Sequence, residues 1–299
     1  MAVMLRGQFP DLFASRLAYM DEVMFEEFDA PTLTYPRVFN VKDSKRAYEE
    51  KTGVSGFTLF EETAEGAALS YETLQQLYDK RWTHVKYTKG FQITEEASED
   101  DLDNVISNAA PAMGRIARNS IEVEAYSDLN GAFATTTTAD GGYLCGSHSL
   151  AGGGTFTNYI SGDLAQGTLE SALNKFADMV DENSNLIMLE ARTLLIPNEL
   201  RWTATEILKS QLRSDTANNA VNALSQVGLD ILVVPYLTGD DDWFLLSEPS
   251  RHSLMFYWRK EPTTDHATDF DTGNLKTKMS MRFSHGPYYW AGIVGGLGS

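Results

Sequence analysis

The reactive side chains fall into a few short clusters. Cys145 and His148 are the only thiol and imidazole close together in the chain. A nucleophilic cysteine needs a base beside it and a third group to orient that base. The glycine-rich setting of this pair reads as a loop rather than such a frame. Gly152-Gly153-Gly154-Thr155 invites comparison with a phosphate loop. That loop ends in Gly-Lys-Ser/Thr, and the lysine is missing here, so the run reads as a flexible turn. Asp265, His266, Asp269 and Asp271 bring oxygen and nitrogen donors together, and Asp240, Asp241 and Asp242 form a run of carboxylates. A calcium loop spaces its ligands around a glycine and adds a distant bidentate acid. Asp269-Phe-Asp271-Thr-Gly273 matches only a fragment of that pattern. Both groups read as solvated turns, with a metal-dependent hydrolase built on Asp265, His266, Asp269 and Asp271 as the contrary reading. Glu95, Glu96, Glu99, Asp100 and Asp101 supply paired carboxylates of the kind glycoside hydrolysis uses. Acids in the first turn of a helix are already explained by its dipole. The sequence therefore predicts no catalytic, metal or cofactor site, and no enzyme.

Bulk properties narrow the class. The chain has 299 residues, 42% of them hydrophobic and 11% aromatic, which suits one large or two modest globular domains. No run approaches the roughly 18 apolar residues of a membrane span. The start, Met1-Ala-Val-Met-Leu-Arg-Gly, lacks the charged lead and apolar core of a secretory signal. A single cysteine forbids an internal disulfide and fits a reducing cytosol. The net charge is −18 and unevenly spread. Residues 1–35 carry two basic and six acidic side chains, 36–94 nine and eight, and 95–299 thirteen and twenty-eight. Sequence-independent nucleic-acid binders concentrate Lys and Arg on a surface, and the acidic body does the reverse. A protein of this kind near DNA does not hold it by charge.

The elements follow from periodicity. Asp11 to Glu27 reads as a helix with Leu12, Phe13, Leu17, Met20, Met24 and Phe28 near one face. Pro31 and Pro36 end it. From Val38 to Thr94 the pattern is strands broken by Gly53, Gly56, Gly66 and Gly90. Phe57–Glu62 and Ala67–Glu72 read as the sides of a hairpin tipped by Ala64-Glu65-Gly66. Ser98 is a good N-cap for a helix over 98–126, interrupted by Pro111, which predicts a kink. Asn130 to Thr157 reads as a long Gly/Thr-rich loop. Beyond it come a helix marked by Leu164 to Val180, a strand Arg192–Ile196, and a helix from Pro197 through Leu212. Apolar strand-like runs follow at 231–234, 243–246 and 254–258. Leu275 to Ser284 alternates strictly, as a half-buried strand does. The arm from 36 to 94 lacks large apolar clusters, and a segment unable to bury itself in its own domain usually finds a partner.

In order and spacing these elements resemble the major capsid protein of tailed double-stranded DNA phages, which has the HK97-type fold. The resemblance is carried by Lys89-Gly-Phe-Gln-Ile-Thr-Glu-Glu96 leading into Glu99-Asp100-Asp101 and a long helix. Lys45-Arg-Ala-Tyr-Glu-Glu50 before Gly53 and Gly56, Arg192-Thr-Leu-Leu-Ile-Pro197, and the acidic turn from Gly239 into Trp243-Phe-Leu-Leu246 support it. It covers nearly the whole chain. The resemblance implies an α+β capsid fold with an N-terminal arm over 1–35 and an extended β-hairpin loop over 36–94. It further implies a peripheral domain over 95–164 with its spine helix at 98–126, an axial domain over 165–260, and return strands of the peripheral domain over 261–299.

The function it implies is a shell protein: pentamers and hexamers of one chain, closed into an icosahedral virion around double-stranded DNA. The shell would be assembled in the host cytoplasm without sequence-specific DNA binding or a membrane. Partners implied are a separate scaffold protein, a portal and a decoration protein. Phe57, Leu59, Phe60, Leu69 and Tyr71 of the loop, with Phe13, Leu17 and Met24 of the first helix, are the expected inter-subunit contacts. Pro111 is the expected kink of the spine helix. An encapsulin-type nanocompartment, which shares the fold but encloses protein cargo, is the alternative reading.

Overall fold

A computed structural model describes residues 10–30, 32–69, 71–94, 105–210, 221–269, 271–272 and 274–298. The elements are α1 (Pro10–Asp29), β1 (Asn40–Asp43), β2 (Tyr48–Val54), β3 (Gln76–Thr83), β4 (Val85–Ile93) and α2 (Val105–Asn130). They continue with β5 (Ser147–Ser149), β6 (Thr155–Thr157), β7 (Tyr159–Ser161), α3 (Gln166–Ala177), β8 (Thr193–Ile196) and α4 (Arg201–Lys209). The chain closes with β9 (Asp230–Val233), β10 (Trp243–Leu246), β11 (Leu254–Thr268), β12 (Leu275–Pro287) and β13 (Ile293–Leu297).

Two sheets organise the molecule. The first has the order β1-β11-β12-β4, and its inner face is buried under α1 and α2. Alternation explains the choice of face: Thr277, Met279, Met281 and Phe283 of β12 are buried, while Lys276 and Lys278 on either side of Thr277 are exposed. On α2, Ala110, Met113, Ala117, Ile121, Ala125, Tyr126 and Leu129 recur at helical spacing and bury against sheet and α1. Met20, Met24 and Phe28 of α1 meet them. Glu122 is buried on that face, and its Oε2 accepts the Thr34 hydroxyl at 2.8 Å. Its Oε1 accepts the Thr34 backbone N–H, so the buried carboxylate fastens the chain leaving α1. The second sheet has the order β7-β13-β10-β8-β9, with α3 and α4 contributing to its core.

Several expectations need correction. The helix read at 98–126 is described over Val105–Asn130, so its C-terminal end runs four residues further, and Ser98 lies outside the described residues. The predicted hairpin sides Phe57–Glu62 and Ala67–Glu72 form no ladder. The ladder is set back at β2 and β3, and only the turn at Ala64–Ala67 survives, with Gly66 at φ +82°. Part of the Asn130–Thr157 loop is a short hairpin, β5 with β6. β11 runs on past Trp258 to Thr268, so Asp265 and His266 sit on a strand rather than in a turn. The last strand does not return to the first sheet: β13 pairs with β10 and β7 in the second. Gly296 makes this possible, because a Cβ there would lie 2.0 Å from the Trp243 ring. β11, in turn, begins inside the span expected for the other domain, at Leu254.

One buried histidine gives the fold an acid limit. His252 lies just before β11, its Nδ1 accepting the Leu254 N–H at 3.3 Å, and burial lowers its pKa to about 4. The unfolded chain takes up that proton near pH 6.5. Stability therefore falls as pH drops from about 6.5 towards 4, by about 3 kcal/mol in all from this group. His252→Phe should flatten that part of the stability curve, measured by thermal melts at pH 7 and 4.5. An equal acid loss in wild type and variant would refute the assignment. His285 works the other way: burial opposes its charge, but the hydrogen bond and charge of Asp128 on α2, at 2.8 Å, outweigh it and raise the pKa. That contribution is present in acid and fades as pH rises through the folded value.

Candidate assembly surface

The extended loop is a two-stranded ribbon anchored at its root and bare at its end. β2 and β3 pair antiparallel from Tyr48↔Thr83 to Val54↔Gln76. At the root Trp82 is buried with Met255, Tyr257 and Tyr288 in a small separate cluster. The rings of Trp82 and Tyr257 lie 5.4 Å apart, and the Arg81 guanidinium stacks 3.4 Å over the Tyr48 ring. Midway, Lys51 Nζ sits 4.2 Å above the Tyr288 ring, and burial followed by the charge of Lys42 lowers its pKa. The Tyr288 hydroxyl donates to the Tyr78 carbonyl at 3.0 Å. Gly53 is required there, because a Cβ would stand 2.3 Å from that hydroxyl oxygen. Two asparagine side chains then hold the start of the tip: Asn183 Nδ2 donates to the Gly56 carbonyl at 2.7 Å, and Asn185 Nδ2 to that of Phe57 at 3.1 Å.

Beyond these contacts the tip, residues 55–75, has little beneath it. Phe57 is 60% exposed, Leu59 77%, Phe60 107%, Leu69 68% and Tyr71 88%. The Glu72 carboxylate holds the two sides together by accepting the Thr58 N–H at 3.0 Å and its hydroxyl. Five of the expected contact residues thus share one exposed tip. Met24 does not join them. It is fully buried against α2 within the subunit and offers no surface. Its periodicity marked a covered face correctly, but the cover is this chain's own helix. Phe13 and Leu17 lie on α1 with side chains outside the described residues. Sequence reasoning missed Asn183, Asn185 and Tyr288. Asn183-Ser184-Asn185 signals a turn, which it is, with Ser184 at φ +64°, but nothing in the sequence says what it grips.

The candidate chemical residues are dispersed. Cys145 is fully buried, and burial pushes its thiol pKa far up, which removes the thiolate a nucleophile needs. His148 Nδ1 pairs with Asp140 at 2.7 Å and its ring stacks on Trp290. Gly152, Gly153 and Gly154 form the turn between β5 and β6, the last two at positive φ. Asp265 pairs with Lys278 at 3.3 Å, Asp269 with Lys276, and His266 with Asp21 and Thr277. Asp240 and Asp241 are exposed, and burial raises the pKa of Asp242. Among the described residues no three His, Cys, Asp or Glu side chains gather to hold a metal ion. No described helix is long and apolar enough to cross a membrane. Glu95, Glu96, Glu99, Asp100 and Asp101 lie outside the described residues.

A model of the phage capsid protein family matches residues 78–295. The chain belongs to the phage capsid protein family. That family is structural and not enzymatic, and its place is the virion. Solved phage capsids share the α+β fold. The capsid of the cyanophage P-SCSP1u matches with a TM-score of 0.60 at 12% identity, over 90% of this chain and 88% of that one. The mature capsid of bacteriophage PhiM1 matches with 0.58 at 9% identity, over 90% and 87%. The procapsid of bacteriophage JBD30 matches with 0.53 at 14% identity, over 97% and 76%. No curated protein sequence matches the chain. The family match begins within β3, so the bare tip at 55–75 lies outside it.

Proposed function

We propose that this chain is the major capsid protein of a tailed phage, assembling as pentamers and hexamers into an icosahedral shell around double-stranded DNA. The observation that carries the reading is the tip: large apolar side chains held clear of the subunit on a ribbon whose root is firmly packed. Such a patch marks a protein interface. Covering it contributes about 25 cal/mol per Å² of apolar area, much of it offset by association and ordering costs. Several such contacts per subunit then act together. Negative-stain microscopy of the expressed chain tests this. Shells or rings of five or six subunits support it, and a clean monomer at all concentrations opposes it.

In this reading the first sheet with α1 and α2 is the peripheral unit and α2 its spine. The second sheet, now including β13, is the axial unit around the five- and six-fold axes. A separate scaffold, a portal and a decoration protein are the further partners. The acidic body lines a container that does not pin its DNA. The family match favours a phage shell over an encapsulin, and nucleic acid rather than protein inside purified particles separates the two. Pro111 lies inside α2 and removes one backbone donor there. We assign it the flexibility that lets the spine differ between precursor and expanded shells. Pro111→Ala should raise the subunit's melting temperature and impede expansion, followed by particle diameter in microscopy. Unaltered expansion would remove that role.

A further inference from the structure

The outer face of the first sheet carries a row of like charges. Lys260 on β11, set between two bulges of that strand, pairs with Arg282 on β12, and Arg282 pairs with Lys86 on β4. Directly paired residues on neighbouring strands share a face. Met281 and Phe283, on either side of Arg282, are buried beneath the helices, so the three cations project from the opposite side. Like charges in direct register destabilise a sheet, and this chain has 42 acidic residues with which to prevent it. It does not. Lys260 Nζ reaches only the Ser280 hydroxyl at 3.2 Å, and Arg282 Nε the His84 carbonyl at 3.4 Å. Among the described residues no carboxylate forms an ion pair with Lys86, Lys260 or Arg282. Asp265 and Asp269, further along the sheet, are taken by Lys278 and Lys276. Lys42, on β1 opposite Tyr257, adds a fourth cation near the same face. His84 feels the result: its pKa is lowered by burial and then by Arg282, with Glu49 opposing and Arg259 adding.

The complementary charge lies elsewhere in the same sequence. The loop tip, residues 55–75, contains Glu61, Glu62, Glu65 and Glu72 and no Lys or Arg. Glu72 is used internally by Thr58. Glu61, Glu62 and Glu65 are exposed beside the apolar side chains of the tip. They cannot meet the cationic row of their own subunit, because the eight residues of β3, about 26 Å of strand, stand between. We infer that the row Lys260–Arg282–Lys86 is a docking ridge for the acidic loop tip of a second copy of this chain. The inference rests on the shell reading and names the surface on which the tip lands. A polyanion such as DNA is the less suited occupant. The rest of the subunit repels it over long range, whereas three carboxylates on a short loop can match three cations locally.

Charge reversal tests the pairing on the full-length chain. Lys86→Glu with Lys260→Glu should raise the subunit concentration needed for assembly by roughly tenfold or more. Glu61→Lys with Glu62→Lys and Glu65→Lys should do the same, and the five substitutions together should restore shells. The neutral pair Lys86→Gln and Lys260→Gln should melt at or above the wild-type temperature while assembling less well, which excludes misfolding as the cause. Ridge-reversed chains that assemble as wild type would overturn the inference, as would a combined variant that gains nothing over either parent. Intact shells that lose only their nucleic acid would also overturn it, in favour of phosphate as the occupant. If the unaltered chain forms no shells or rings, the shell reading itself fails, and the two failures are thereby distinct.

Discussion

Subunits carrying Leu59→Ser and Phe60→Ser should melt as the wild type does and form no shells. Both side chains stand in solvent in the isolated subunit, at 77% and 107% exposure, so their removal takes nothing from its core. Substitutions at such positions usually change stability by less than about 0.5 kcal/mol. In the shell the balance is different. Burying a Leu or Phe side chain contributes about 1.5–3 kcal/mol, so losing both weakens each tip contact by roughly 3–6 kcal/mol, a factor of about a hundred or more. In the proposed shell every subunit would both offer a tip and receive one, so the loss would recur at each junction. Sedimentation of the soluble fraction should show unassembled protein with wild-type circular dichroism. Shells forming at wild-type concentration would mean that the tip is not an interface. A lowered melting temperature would mean instead that the tip packs on its own subunit.

Much of this arrangement was legible in the sequence, and the exceptions share a cause. β12 was readable because Thr277, Met279, Met281 and Phe283 alternate with the polar residues Lys278, Ser280 and Arg282, although Ser280 is buried as well. α1 was readable from the four-residue spacing of Met20, Met24 and Phe28. Periodicity reports that a face is covered but not by which molecule, which is why Met24 was assigned to a neighbour and is found under α2. β13 escaped notice because Gly295 and Gly296 carry no strand propensity. They are there for the Trp243, Phe133 and Cys145 side chains that crowd the strand. The tip was read as a hairpin from the alternation of Phe57–Glu62, but a ladder needs a surface to stabilise it. The Trp82 and Tyr288 anchors provide one only as far out as Val54 and Gln76. The cationic row was invisible for a different reason. Lys86, Lys260 and Arg282 are far apart in sequence, and only strand register brings them together.

The close crossing of α1 over α2 gives the second large effect. Gly114 lies on the face of α2 that meets α1, and a Cβ there would stand 2.1 Å from the Met24 carbonyl oxygen, with the Met24 carbonyl carbon and Cα at 3.1 and 3.3 Å. These are backbone atoms inside a helix, so no rotamer change relieves the contact, and Gly114→Ala must push the two helices apart. Separation loosens the packing of Met20, Met24 and Phe28 together and strains the Thr34–Glu122 contacts at the end of α1. The expected cost is about 3 kcal/mol, at the upper end for overpacking, or roughly 5 °C in melting temperature for a chain of this length. Gly167 supplies the matched control. It is the second residue of α3, with nothing within 4 Å of an added Cβ. Gly167→Ala should therefore stabilise slightly, by at most about 0.5 kcal/mol in this first turn, through helix propensity alone. The same chemical change then has opposite signs at two helical glycines, and calorimetry on the pair separates the close approach from propensity. Equal and small shifts at both sites would show that α1 is not held this near to α2.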